Sequence, residues 1–479
     1  GAWDGYAAVT AASARGFRDQ SDGTAARLSL NLGRRLGEEG EVRLILQAGD
    51  VQQEIPGPLT LAQAERTPRL VNPANIAGDF ARDLRTARMT LQTRWGLGQG
   101  WTAEGAIYGA WKELYHPISI VVDQESVNSG GFGRLDWTGE VGGRRADLFT
   151  GAYLRASDLE ALVFTNRQAS RGVRTGDSLQ RSRALDLFAE GRLFVTERLA
   201  LVAGGSYGRA ERDFRDDVNR ARSRERTYDW FAPRVGLLWE DEGGEQAYAN
   251  VTRSVEPPNF GALVQPTVPG FVPLDAQDAW TAEVGTRGRR GPWVWDAALF
   301  RSEIEGELLN FVVGPDIPAA TFNAGPTIRQ GLEAALDWRG PALGGEVLVR
   351  QAYAWSDFRF DGDRRYGDNR LPVVPPHVYR AEVRFTHPGG WFAGPLLELN
   401  SRAKVDYANT LVAPGFAVFG LNAGWSVRPG VELFLDARNL LDRGYAANFT
   451  AVTDARVAST AVFYPGEPFS VFAGLRADF

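Results

Sequence analysis

The chain ends in Phe469-Ser470-Val471-Phe472-Ala473-Gly474-Leu475-Arg476-Ala477-Asp478-Phe479, and the alternation in this stretch decides the fold. Phe469, Val471, Ala473, Leu475, Ala477 and Phe479 fall on one side of an extended backbone. Ser470, Gly474, Arg476 and Asp478 fall on the other, with Phe472 the aromatic exception. Successive side chains of a strand point to opposite faces, so this is a strand with one apolar and one mostly polar side. The period recurs upstream. Val431, Leu433, Leu435 and Ala437 alternate with Glu432, Asp436 and Arg438, and Ala417, Phe419, Leu421, Ala423 and Trp425 with Gly420, Asn422, Gly424 and Ser426. Tyr379, Ala381, Val383 and Phe385 oppose Arg380, Glu382 and Arg384, while Leu332, Ala334, Leu336 and Trp338 face away from Glu333 and Asp337. Alanine is common on the apolar face. A sandwich core requires larger interdigitating side chains, whereas a lipid-facing surface accepts small residues between aromatics.

Carried along the chain, the pattern gives about twenty strands, among them 126–139, 146–158, 180–194, 322–338 and 467–479. Short turns such as Gly98-Gln99-Gly100, Thr196-Glu197 and Arg428-Pro429-Gly430 alternate with long connections near 51–82, 159–179, 210–225, 256–275, 306–321, 359–377 and 441–466. Tight periplasmic turns and long outer loops are the asymmetry of a bacterial outer-membrane barrel. The expected fold is therefore all-β: one large antiparallel transmembrane β-barrel occupying 1–479, with both ends in the periplasm. A set of soluble β domains is the competing arrangement, and no linker rich in Pro, Ser or Gly separates them.

Composition agrees. The 479 residues include 55 Gly, 14 Trp, 13 Tyr and 26 Phe, which favours strands and turns. Cysteine is absent and histidine occurs three times, which argues against disulfides, thiolate nucleophiles and clustered metal ligands. With 53 basic and 59 acidic side chains, the net charge of -6 offers no footprint for nucleic acid.

Several motifs, taken in order, resemble the β-barrel of TonB-dependent outer-membrane receptors. They are Phe231-Ala232-Pro233-Arg234-Val235-Gly236-Leu237, Arg253-Ser254-Val255-Glu256-Pro257-Pro258-Asn259-Phe260, Asn323-Ala324-Gly325 with Gln330-Gly331-Leu332-Glu333, Asp436-Ala437-Arg438-Asn439-Leu440-Leu441-Asp442-Arg443-Gly444-Tyr445, and Tyr464-Pro465-Gly466-Glu467-Pro468-Phe469 through the last residue. Gly16-Phe17-Arg18-Asp19 and Ile55-Pro56-Gly57-Pro58-Leu59-Thr60 look like the branch holding siderophore and pyrroloquinoline quinone receptors. The resemblance implies a complete barrel of 22 strands around an N-terminal plug. Residue 1 stands where that family has its third strand, so the plug and one hairpin are expected outside the given sequence.

The resemblance further implies energised uptake of a scarce nutrient, an iron-siderophore or similar chelate, with no enzyme chemistry and no cofactor. Implied partners are the plug, the TonB-ExbB-ExbD complex acting through it, outer-membrane lipid and lipopolysaccharide, and the small-molecule nutrient or metal chelate. A plug-less passive channel or structural barrel is the alternative. Candidate ligand contacts are the aromatic and charged residues Arg212, Asp213, Arg215, Tyr228, Phe260, Arg359, Arg364, Tyr366, Tyr407 and Tyr445 near the outer mouth. Each also reads as an interface or solvated loop residue. Trp101, Trp111, Tyr115, Trp230, Trp239, Trp280, Trp293, Trp338, Trp355, Trp391 and Trp425 fall near strand ends and read as the aromatic girdle, some pointing inward. The alternating carboxylates Glu303 and Glu305 lie on one strand and so do not face each other across a substrate. His116, His377 and His387 are too scattered to form a metal site.

Overall fold

A computed structural model describes residues 2–265 and 268–478. Twenty strands form one antiparallel sheet. In chain order they are β1 (Trp3–Ala14), β2 (Gly23–Leu36), β3 (Gly40–Glu54), β4 (Ala81–Gly98), β5 (Trp101–Pro117), β6 (Ile120–Val141), β7 (Arg144–Arg167), β8 (Ser170–Phe194), β9 (Leu199–Asp216) and β10 (Arg224–Glu240). There follow β11 (Gln246–Glu256), β12 (Gln277–Arg290), β13 (Trp293–Glu305), β14 (Thr327–Ala342), β15 (Gly345–Phe360), β16 (His377–Thr386), β17 (Trp391–Asn400), β18 (Phe416–Arg428), β19 (Val431–Arg438) and β20 (Ser470–Ala477). Each strand pairs with the next. Among the described residues no pairing joins β1 to β20.

Register keeps the two faces apart. Leu433 stands opposite Leu475, Leu435 opposite Ala473 and Ala437 opposite Val471, and the same three residues of β19 meet Trp425, Ala423 and Leu421 of β18. Directly opposed residues point to the same side, so the apolar stripes merge into one surface. On the other side Arg476 reaches Glu432 at 3.5 Å, Arg438 reaches Asp436 at 2.8 Å, and Arg350 lies between Asp337 at 3.6 Å and Glu382 at 3.8 Å. Leu91, Ile107, Leu154, Val235, Val284, Leu299, Trp425 and Leu475 stay exposed on the apolar side. A soluble protein rarely exposes so continuous an apolar surface.

The loops show that the sheet rolls up. Leu59, between β3 and β4, exchanges two backbone hydrogen bonds with Phe463, between β19 and β20, at 2.8 and 2.9 Å. Both belong to a packed cluster with Ala64, Val405, Ala413, Val452 and Val462. From elsewhere, Ser119 Oγ, between β5 and β6, donates to the carbonyl of Asp316, between β13 and β14, at 3.0 Å. Loops eight strand positions apart meet only if the sheet curls into a tube, which puts the polar face in the lumen.

Several expected boundaries are corrected. The loop at 159–179 does not exist, because β7 and β8 continue as a ladder to a two-residue turn at Gln168-Ala169, both with positive φ. Strands 126–139, 146–158 and 180–194 are therefore longer than expected. Beyond the lipid both faces of a strand are wet, and no apolar alternation marks it. The loop at 210–225 shrinks to 217–223 for the same reason. Strand 322–338 is broken at Ala324–Pro326: Ala320–Asn323 pairs with Leu308–Phe311 as a separate hairpin, and β14 begins only at Thr327. The turn between β5 and β6, residues 118–119, is a second short connection on the outer side. Phe479, expected to end the last apolar stripe, lies outside the described residues.

Aromatic rings mark the strand ends as expected. Trp101 and Trp137 lie 6.1 Å apart, Trp293 and Trp338 6.4 Å, and Trp391 stands opposite Trp425. Trp230 is one that points inward. Its ring lies where a Cβ on Gly208 would sit, so only glycine fits there.

Candidate functional site

The polar face of β14 to β19 forms a cavity of about 650 Å³ whose lining includes Asp337, Arg350, Arg380, Glu382, Glu398 and Asp436. Arg380 and Glu398 pair at 3.3 Å, so opposite charges are already matched along the wall. Such a wall leaves many lone pairs and N–H groups free for a polar guest while carrying little net field. At the outer end its lining passes to Asn439, Tyr445 and Glu467, which lean over it.

The residues after β19 explain that arrangement. Asn439 takes φ 47 and Asp442 φ 45, left-handed conformations that Asn and Asp tolerate. Asn439 Nδ2 donates to the carbonyls of Arg443 at 2.9 Å and Glu467 at 3.0 Å, and its Oδ1 accepts from the Arg443 N–H at 3.0 Å. Asp442 Oδ1 accepts from the Phe469 N–H at 2.9 Å. The chain thus doubles back onto β20 and delivers Tyr445 against Phe416, with ring centres 4.6 Å apart. Burial pushes the Tyr445 hydroxyl above its ordinary pKa.

The expected contact residues separate into groups. Tyr366 and Tyr407 come together with Phe360 in a buried cluster over β15, ring centres 5.1 to 6.0 Å apart. The Tyr407 hydroxyl donates to the Asn310 carbonyl at 2.8 Å, and burial raises its pKa strongly. Arg212 and Tyr228 share the lumen side of β9 and β10. Arg212 donates to Ser182 Oγ at 2.8 Å and to the Pro258 carbonyl at 3.1 Å, and Tyr228 to the Leu274 carbonyl at 2.9 Å. Phe260 opens the short helix Phe260–Leu263 and packs on the Leu263–Leu274 cluster beside them. Asp213 and Arg215 alternate to the opposite face, where Asp213 meets Arg181 at 3.7 Å and Arg215 meets Asp217 at 2.9 Å. Arg359 also lies on that face, 3.9 Å from Asp357, and its Nε is buried without a partner. Arg364 is exposed in the loop after β15 and joins neither group.

Sequence reading missed a convergence at the centre of the mouth. Arg18, Asn75, Ser119, Asp316 and Tyr464 come from five different connections. Asp316 sits beside Asn75, and Arg18 and Tyr464 both feel its charge. The sequence signal, an Asp in the turn Gly314-Pro315-Asp316, is common to many loops and gives no partner.

The family described as TonB dependent receptor-like, beta-barrel, matches residues 16–440. Among solved structures, the ferric citrate transporter FecA is similar at 17% identity and TM-score 0.82, the match covering 99% of this chain and 73% of that one. The ferric-catecholate import receptor Fiu from E. coli K12 is similar at 14% identity and TM-score 0.80, covering 100% and 78%. The ferric yersiniabactin uptake receptor FyuA from Yersinia pestis is similar at 16% identity and TM-score 0.79, covering 100% and 76%. At these identities the likeness is one of fold.

Proposed function

The chain belongs to the TonB-dependent receptor β-barrel family, whose members are receptors and transporters of the bacterial outer membrane, and from that premise we propose that it is the barrel of a receptor for energised uptake of an iron chelate. Residues 1–479 form one barrel unit in this reading, and the outer loops and lumen wall supply the ligand contacts. The observation that carries it is the cavity of about 650 Å³ set in the charge-matched inner wall, within the range of small-molecule sites. A charge-matched wall suits a folded guest such as a plug domain, whereas an ion-conducting pore favours one sign of charge.

Tyr445, which lines the cavity, and Arg212, on the lumen side of β9, are the contact residues this reading favours, with the buried Tyr228, Tyr366 and Tyr407 packed behind the surface. The similar proteins are named for ferric citrate, ferric catecholate and ferric yersiniabactin, which supports a ferric chelate here. Lipopolysaccharide around the outer rim and TonB acting through a plug complete the proposed partners. The test is accumulation of radioactive iron, offered as ferric citrate and as a ferric catecholate, by iron-starved cells carrying the full receptor. We expect accumulation of at least one chelate that stops when the proton gradient is collapsed. Accumulation of neither, or entry that continues after collapse, would overturn the proposal.

A further inference from the structure

Pro395 stands in the middle of β17, a strand paired on both sides, where a residue without an N–H disturbs the sheet. Its ladder to β18 is complete and runs through Pro395 opposite Leu421. The gap is on the other side. Toward β16, Leu396 stands opposite Glu382 and Ala393 opposite Phe385, but the two pairs between them, Val383 with Pro395 and Arg384 with Gly394, are missing. The register is the same on either side of the gap, so no residue is inserted and this is not a bulge. In an antiparallel ladder a hydrogen-bonded pair exchanges two N–H···O bonds. Pro395 can accept from the Val383 N–H and return nothing, which leaves the Val383 carbonyl without its ladder donor.

That carbonyl has left the plane of the sheet. A Cβ on Gly394 would all but coincide with the Val383 oxygen, so the oxygen occupies the place of a side chain at 394. Gly394 stands opposite Asn422, and Asn422 opposite Asp436, on the face that lines the lumen. An unpaired carbonyl facing hydrocarbon is costly, whereas the lumen supplies water as a donor. Other prolines of the wall avoid the problem. Pro117 and Pro341 lie at strand ends, and Pro233 leaves its ladder to β9 unbroken. Inward of the gap only two pairs, Phe385 with Ala393 and Thr386 with Phe392, hold β16 to β17.

We propose that lumen water solvates the Val383 carbonyl and that β16 and β17 therefore part here more readily than β18 and β19 do, giving the wall a hinge beside the cavity. Glu382 and Leu396, the pair next outward from the gap, both line that cavity. Parting of these strands widens it while the neighbouring ladders stay closed, because local opening follows the weakest set of bonds. The inference goes beyond the uptake reading and needs only that the polar face lines the lumen.

The test is amide hydrogen exchange of the full receptor in outer-membrane vesicles, comparing strand residues 380–386 and 391–398 with 418–426 and 431–438. Exchange should be about tenfold faster in the first set, the effect of one missing hydrogen bond. Pro395→Ala restores the N–H and should bring the first set to the rate of the second. A clamp gives an independent check. Glu382 and Leu396 flank the gap as a non-hydrogen-bonded pair, close enough for a disulfide, and the chain has no cysteine of its own. Glu382→Cys combined with Leu396→Cys should lose the fast exchange when oxidised and regain it when reduced. Equal rates in the two sets of the parent would overturn the proposal. So would fast exchange that persists in P395A or in the oxidised double variant, each judged on protein that keeps the parent's folded gel band. Since nothing is transported in these measurements, a failure of the uptake reading leaves their outcome distinguishable.

Discussion

Asn439 shows how much a single residue decides. It is 2% exposed, adopts a backbone conformation that few side chains tolerate, and makes three hydrogen bonds that fold residues 439–467 back onto the wall. Removing its amide leaves the part-buried backbone groups of Arg443 and Glu467 without that partner, a cost of about 1 kcal/mol or more. Asn439→Ala should therefore lower the temperature at which the folded gel band converts to the unfolded one and loosen Tyr445. An unchanged conversion temperature would contradict that role. The motif around Asn439 stands out in the sequence, but its partner Glu467 lies 28 residues away and only the folded chain joins them. Arg18, Asn75 and Asp316 are less legible still, because nothing near each of them in sequence names the other two.

Among elements, legibility follows the solvent. Strands β18 to β20 alternate cleanly because one face meets hydrocarbon and the other the lumen, and they are observed within about three residues of where the alternation puts them. The upper parts of β7 and β8 carry Glu160, Arg167, Arg171, Arg174 and Asp177 with water on both sides, and they read as loop until pairing is seen. Close approach of strands is equally invisible. A Cβ on Gly394 would lie 1.5 Å from the Val383 carbonyl oxygen, at the place where pairing between β16 and β17 skips and where Pro395 has no N–H to give. Gly394→Ala should force these strands apart at a cost of about 1–3 kcal/mol. The check is the yield of folded barrel in the outer membrane, expected to fall; normal yield and thermal stability would show that the strands can give way.

At the scale of the whole molecule, the claim is that one face of a rolled sheet meets lipid and the other lines the lumen. Arg476 and Leu475 are adjacent and test it directly. A cysteine at 476 should react readily with a water-soluble thiol reagent in opened membrane vesicles, and one at 475 only with a lipid-soluble reagent. The reverse order would place the faces the other way round. The fold class, the two-sided character of the strands and the family were determined by sequence alone, because alternation and turn chemistry are local properties of the chain. Which loops meet over the mouth, and which of the candidate arginines and tyrosines face inward, only the tertiary structure decided. Rolling the sheet brings together residues separated by up to several hundred positions, and a shift of one residue along a strand sends a side chain to the opposite face.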